Sequence, residues 1–195
     1  MNPRDMALQT LTPTVMVPRH EDFTPLASIG HRFLVASDGL WMEIRRAWLY
    51  ARLPVARQAG VPMPYGVVTP VLELLCGKVP KQLLVAFEGL AQAALPNETA
   101  AVVIWNEVTG EMRLQPLEAV SASAAHVTYK MSETDEGEHV VMDLHSHGAS
   151  RAFFSGTDDA DDATAIKVAG VVGNLDKPEP TYAFRLCALG RFVTL

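Results

Sequence analysis

The chain has 195 residues, 49% of them hydrophobic and 19% charged, and a formal net charge of −6. This balance excludes a disordered chain, and the length allows one large core or a domain of about 120 residues with a smaller companion. Acidic residues outnumber basic ones by 16 to 8 in residues 81–195, which argues against a nucleic-acid partner, because that partner needs a clustered basic surface.

The N-terminal part of the chain predicts a small β-rich module. Arg32–Ala36 and Leu40–Arg46 flank the tripeptide Ser37-Asp38-Gly39, and apolar residues recur with a period of two in the second segment. This pattern is typical of a β-hairpin around an Asp-Gly turn. The segment 47–56 predicts a further strand.

Prolines and glycines interrupt the pattern from Gly60 to Pro70, and we interpret this stretch as a linker. The predicted domains are residues 1–77 and residues 78–195. The second domain begins with a predicted helix between Pro80 and Pro96, in which apolar residues recur at spacings of three and four.

The rest of the second domain predicts strands and one more helix. The helix should start near Asp158 and carry Ile166, Val168 and Ala169 on its apolar side. The order of elements predicts an α/β domain with helices packed against a mixed sheet. The predicted strands are Thr99–Trp105, Met112–Pro116, residues 125–130, His139–His147, Val168–Val172 and Tyr182–Ala188.

Neither a membrane span nor a disulfide framework is indicated. No apolar run approaches the roughly 18 to 20 residues that a span requires, and the N-terminus lacks the apolar stretch of a secretory signal, so we expect a cytoplasmic protein. Cys76 and Cys187 stand in apolar surroundings without a CxxC partner, which predicts two buried thiols.

Two histidines on one predicted strand are candidate metal ligands. His145 and His147 are two residues apart, so their side chains should project from the same face and could converge on one zinc ion, which would need two more ligands. Asp158 could supply one of them, but the pattern Ser155-Gly-Thr-Asp158 also fits a helix cap. Each feature alone is as well explained by packing or capping.

The spacing that joins the two histidines to Ser155 and Asp158 is more specific than either feature alone. His-x-His, seven residues and then Ser-x-x-Asp resembles the signature of the JAMM (MPN/Mov34) family of zinc metallopeptidases, and the resemblance covers roughly residues 78–195. It implies a cytidine-deaminase-like mixed sheet flanked by helices. It also implies a glutamate some 40–50 residues upstream, between a helix and the first strand, where Glu98 stands. By itself, Glu98 would be interpreted as a solvated carboxylate at a helix end.

The resemblance implies a role for each site residue. His145, His147 and Asp158 would bind Zn²⁺ with a water at the fourth position, whose pKa the ion lowers toward about 7. Glu98 would take a proton from that water and pass it to the leaving amine, and Ser155 would donate a hydrogen bond to the oxyanion. Gly148 stands where many members of the family have proline, which puts substrate fit in doubt before metal binding.

Within the family, the chain resembles the JAMM-type component, protein A, of bacterial PRTRC gene systems, which occurs beside E1-like (ThiF-related) and ubiquitin-like proteins. The implied substrate is the C-terminal tail of a ubiquitin-like protein, in a peptide or an isopeptide bond. The alternative is a scaffold of the same fold that binds such a partner without hydrolysis. Other metal-enzyme classes fit less well, because the chain lacks HExxH, the deaminase His-x-Glu and Pro-Cys-x-x-Cys motifs, and the length of a barrel.

Overall fold

The computed structural model describes residues 2–58, 60–122, 127–129 and 134–195. The chain divides into two compact units, Met1–Gly77 and Lys78–Leu195. Within the described ranges, no helix is both long and apolar enough to cross a membrane.

The first unit is a five-stranded sheet in which the strands follow one another in chain order. The hairpin predicted around Ser37-Asp38-Gly39 is confirmed, and so is the strand after it. Leu34, Trp41 and Val68 belong to one buried apolar cluster of this unit. The elements are helix α1 (Pro3–Leu11) and strands β1 (Thr14–Met16), β2 (Gly30–Ala36), β3 (Gly39–Arg45), β4 (Leu49–Arg57) and β5 (Val71–Leu74).

The interpretation of Gly60–Pro70 as a linker is wrong. The backbone N–H of Gly66 donates to the carbonyl of Val17, and its own carbonyl accepts from the N–H of Ser37. The next strand, β5, then pairs with β4. The prolines and glycines therefore form a surface loop of the first unit and not a link between units. Turn-forming residues mark loops without saying whether a domain boundary lies there.

The second unit has a six-stranded sheet in the order β13-β12-β11-β10-β6-β7 and a separate pair, β8 and β9. Strands β10 and β11 are parallel and the other pairs of the large sheet are antiparallel, so the sheet is mixed, as predicted. Helix α2 packs against β6 and β7 through its buried residues Phe87 and Ala91, which are one turn apart. The elements are α2 (Lys81–Ala94), β6 (Ala100–Asn106), β7 (Met112–Pro116), β8 (Ala119–Ala122), β9 (Val127–Tyr129), β10 (Glu138–Ser146), α3 (Gly156–Asp162), β11 (Ile166–Gly173), β12 (Thr181–Ala188) and β13 (Arg191–Thr194).

The α/β fold with a β-rich N-terminal part is therefore as the sequence predicts, with local differences. Helix α3 ends at Asp162, so Ile166, Val168 and Ala169 belong to strand β11 and not to a helix face. The predicted strand over residues 125–130 lies partly outside the described residues, which include β9 within it. Of the two thiols, Cys187 is buried as expected, but Cys76 is only half-buried.

Candidate metal centre

The two histidines of the His-x-His pattern lie at the end of the central strand β10. This strand ends at Ser146, and the N–H of His147 continues the sheet by donating to the carbonyl of Val172 at 2.8 Å. The two rings converge, with 3.2 Å between the Nε2 atoms of His145 and His147. The same-face geometry expected for residues two apart is what brings them together.

Asp158 divides its two carboxylate oxygens between two partners. It is the third residue of helix α3, and its Oδ2 accepts hydrogen bonds of 2.6 Å from both the backbone N–H and the hydroxyl of Ser155. Its Oδ1 lies 3.3 Å from Nε2 of His145. The capping box and the candidate ligand role are therefore compatible, because one carboxylate can serve both.

The donor set fits zinc. His145, His147 and Asp158 each offer one ligand atom, and these atoms lie within 4.8 Å of one another. A tetrahedral ion with bonds of about 2.0–2.1 Å holds its ligand atoms about 3.3–3.4 Å apart, close to the 3.2 and 3.3 Å observed. A metal also needs neutral imidazoles, and burial lowers the pKa of His145 to about 4 against the opposing effect of Asp158. Burial likewise lowers the pKa of His147.

Glu98 lies at the same edge of the sheet. Strand β6 runs antiparallel to β10, and Ala100 is paired with His145, so residues just before β6 lie beside the end of β10. Only 7% of Glu98 is exposed. Burial, helped by the negative charge of Asp158, raises the pKa of Glu98 to about 7. A carboxylic acid with a pKa near neutrality can both accept and return a proton.

Ser146, between the two histidines, was not singled out from the sequence. It is fully buried, its hydroxyl oxygen accepts from the N–H of Thr99 at 3.0 Å, and its own N–H donates to the Thr99 carbonyl at 3.0 Å. These two bonds join the residue after Glu98 to the residue between the histidines. The alternation of the strand could have revealed this, since it turns Ser146 away from the histidines into the interior, where a hydroxyl needs a partner.

The hydroxyl of Ser155 is engaged within the helix cap. It donates to Oδ2 of Asp158 and accepts from the N–H of that residue at 3.3 Å. An oxyanion role therefore requires the hydroxyl hydrogen to turn from Asp158 toward a substrate. This restriction is not evident from the sequence pattern, which fits a cap and a catalytic serine equally well.

The loop between the two halves of the signature is held by the β11–β12 connection. Gly148 has φ of +52°, a conformation that proline cannot adopt, and its carbonyl accepts from the N–H of Leu175. A proline at this position would therefore require a different backbone path. Phe153, which is 44% exposed, lies edge-on to His147 with ring centroids 4.6 Å apart.

The remaining histidines take other partners or lie elsewhere. Nε2 of His31 is 3.0 Å from the hydroxyl of Thr12, and Nε2 of His139 is 3.1 Å from Glu107. His126 lies outside the described residues, and His20 is exposed.

Two family models match the chain. The model described as prokaryotic homologs of the JAB domain matches residues 80–187, and a domain of unknown function, DUF2016, matches residues 2–75. Among solved structures, the solution structure of protein DSY2949 from Desulfitobacterium hafniense is 18% identical, with a TM-score of 0.46, and the match covers 59% of this chain and 86% of that one. No curated protein matches the chain.

Proposed function

The chain belongs to the family of prokaryotic homologs of the JAB domain, and on this basis we propose that it is a zinc-dependent metallopeptidase. The observation that carries the proposal is the convergence of His145, His147 and Asp158 at spacings that suit a tetrahedral ion. Glu98 beside them supplies a group for proton transfer. In this proposal the three ligands hold Zn²⁺, which when bound supplies a Lewis acid that acidifies water and polarises a carbonyl group.

The residues of the chain carry the remaining chemistry. The Glu98 carboxylate accepts a proton from the attacking water as the water oxygen bonds to the scissile carbonyl carbon. It then gives that proton to the amine as the C–N bond breaks, so the products are a carboxylic acid and an amine. Ser155, once its hydroxyl turns away from Asp158, donates to the carbonyl oxygen as negative charge develops there.

The proposed substrate is the C-terminal tail of a ubiquitin-like protein, joined to a peptide or to a lysine side chain. Support for this class, and for an E1-like partner, comes from the resemblance to the JAMM-type PRTRC component. The exposed ring of Phe153 beside His147 offers an apolar contact for an extended tail at the edge of the site.

The test is hydrolysis of a ubiquitin-like protein from the same genome that carries a C-terminal extension or an isopeptide-linked amine. We expect the wild type to cleave it and Glu98→Gln to lose about 10²-fold to 10⁴-fold in rate while keeping its zinc, because the amide preserves volume but cannot accept the proton. Glu107→Gln is the matched control, since that carboxylate is 46% exposed and bonds His139. If the wild type binds the ubiquitin-like protein without cleaving it, and the Glu98→Gln variant binds it equally well, the chain is a scaffold.

A further inference from the structure

A network of charged side chains lies between helix α3 and the sheet, next to the candidate ligands. Asp162, at the end of the helix, is 4% exposed and accepts from Nη2 of Arg185 at 2.7 Å. Its other oxygen lies 2.6 Å from Nζ of Lys167, which also bonds Asp143. The network therefore ties α3 to strands β10, β11 and β12, each of which contributes one charged residue.

Arg185 contacts both ends of the segment 154–162, which comprises helix α3 and the two residues before it. Its guanidinium carbon lies 3.9 Å from the ring centroid of Phe154, which directly precedes the capping residue Ser155. It lies equally close, at 3.9 Å, to the ring centroid of Phe192. It also bonds Asp159 and Asp162. One side chain on strand β12 thus spans the segment that carries Asp158.

Helix α3 depends on such contacts. It has only seven residues, and a helix of two turns is not stable by itself in water. The capping box fixes its first turn, and Asp162 lies one turn beyond Asp158, so the two aspartates project from the same side of the helix. A shift at Asp162 would move Asp158 relative to His145, which belongs to β10.

Stability alone does not explain the charged residues. Buried ion pairs are often no more stabilising than apolar side chains of the same volume. The Nε of Arg185 is also buried without a hydrogen-bond partner among the residues that the structure describes, which costs free energy. The planar guanidinium of Arg185, unlike an apolar side chain, bonds two carboxylates in fixed directions, Asp159 through Nη1 and Asp162 through Nη2.

We infer that Arg185 is a positioning residue that holds α3 through Asp162. It thereby keeps Oδ1 of Asp158 close enough to Nε2 of His145, 3.3 Å away, for both atoms to bind one metal ion. The inference rests on the proposed zinc function. It assigns to Arg185 no contact with the substrate or the metal.

The experiment compares the full-length wild type with a charge-balanced double variant, Asp162→Asn with Arg185→Met. Lys167 and Asp143 remain paired in this variant, and the methionine retains apolar contact with the two rings. We expect zinc affinity, measured by competition with a chromophoric chelator, to fall at least about 10-fold, and the visible absorption of the Co²⁺-substituted protein to change. The zinc affinity of Arg185→Lys should lie between those of the wild type and the double variant. Lysine keeps the positive charge but lacks the planar guanidinium that bonds two carboxylates in fixed directions.

The control is Arg113→Met, which removes an ion pair to Glu138 on the same sheet, and it should bind zinc and Co²⁺ as the wild type does. Wild-type affinity and an unchanged Co²⁺ spectrum in the double variant would overturn the inference and leave the proposed function intact. A wild type that binds no zinc would overturn both. If urea unfolding shows that the double variant does not fold, Arg185→Lys decides, and wild-type zinc affinity in it overturns the inference.

Discussion

Thr99 and Ser146 exchange two hydrogen bonds of 3.0 Å, one through the serine hydroxyl and one through its backbone N–H. These bonds join the residue next to Glu98 to the residue between His145 and His147. The candidate proton-transfer group and the candidate ligands are therefore linked through Ser146, a residue with no part in the proposed chemistry.

Ser146→Ala should separate this positioning from metal binding. The Thr99 N–H loses its acceptor, which should cost about 1–3 kcal/mol of the free energy of unfolding. Zinc should be retained, while kcat should fall because one of the two bonds that hold the residue next to Glu98 is lost. The control is Thr109→Ala. It removes a hydroxyl that accepts from the N–H of Glu111 in an exposed turn. Wild-type kcat in Ser146→Ala would show that the bond to the serine hydroxyl does not position Glu98.

The raised pKa of Glu98 predicts a pH-dependent stability. Folding raises this pKa from 4.5 to about 7, so the metal-free folded state binds more protons than the unfolded state between these values and loses stability as pH rises through them. Glu98→Gln does not titrate. Its stability relative to the wild type should therefore increase from pH 4.5 to pH 7 by up to about 3 kcal/mol, and then stay constant. Urea unfolding in the presence of a chelator measures the difference, and a constant difference at all pH values would contradict the assignment.

Gly173 should be intolerant of any side chain. A Cβ there would lie 2.2 Å from the carbonyl oxygen of Ser150 and 2.5 Å from the N of Ala152, in the loop that leads to Ser155. Gly173→Ala should cost about 1–3 kcal/mol, as overpacking does, and weaken zinc binding. Gly89→Ala is the control, since nothing lies within 4 Å of its Cβ and it should stabilise helix α2 by about 0.5–1 kcal/mol. Equal effects of the two substitutions would refute the account of the loop.

The proposed domain division predicts an autonomous second domain. Residues 78–195 contain the six-stranded sheet, helices α2 and α3 and all the candidate site residues. Expressed alone, this segment should unfold cooperatively and bind zinc within a few-fold of the full-length chain. An insoluble product, or one that loses zinc, would mean that the division at residue 77 does not separate independent domains.

The sequence predicted the mixed sheet and the positions of His145, His147 and Asp158 because these depend on local periodicity and fixed spacing. It did not predict where α3 ends. The apolar residues after Asp162 fit a short helix face as well as a strand, and only pairing with β10 and β12 decides between them. The linker interpretation failed for the same reason, since the partners of residues 60–70 are distant in the chain.

The charged network around Asp162 was also not predicted, although the sequence of its strands indicates that some partner exists. Lys167 and Arg185 each interrupt an apolar strand, and Asp143 continues the period of two that contains His145 and His147. A charged residue in a buried strand predicts an oppositely charged partner. The sequence could not say which partner, because Asp162 meets these strands only through the tertiary fold.

Zinc content tests the central claim most directly. Elemental analysis of protein purified without chelators should find about one zinc per chain in the wild type, and His145→Ala and Asp158→Asn should each remove it. His139→Ala, in a histidine that bonds Glu107, should retain it. A wild type that contains no zinc and takes up none when zinc is added would contradict the metal centre and the peptidase function that depends on it.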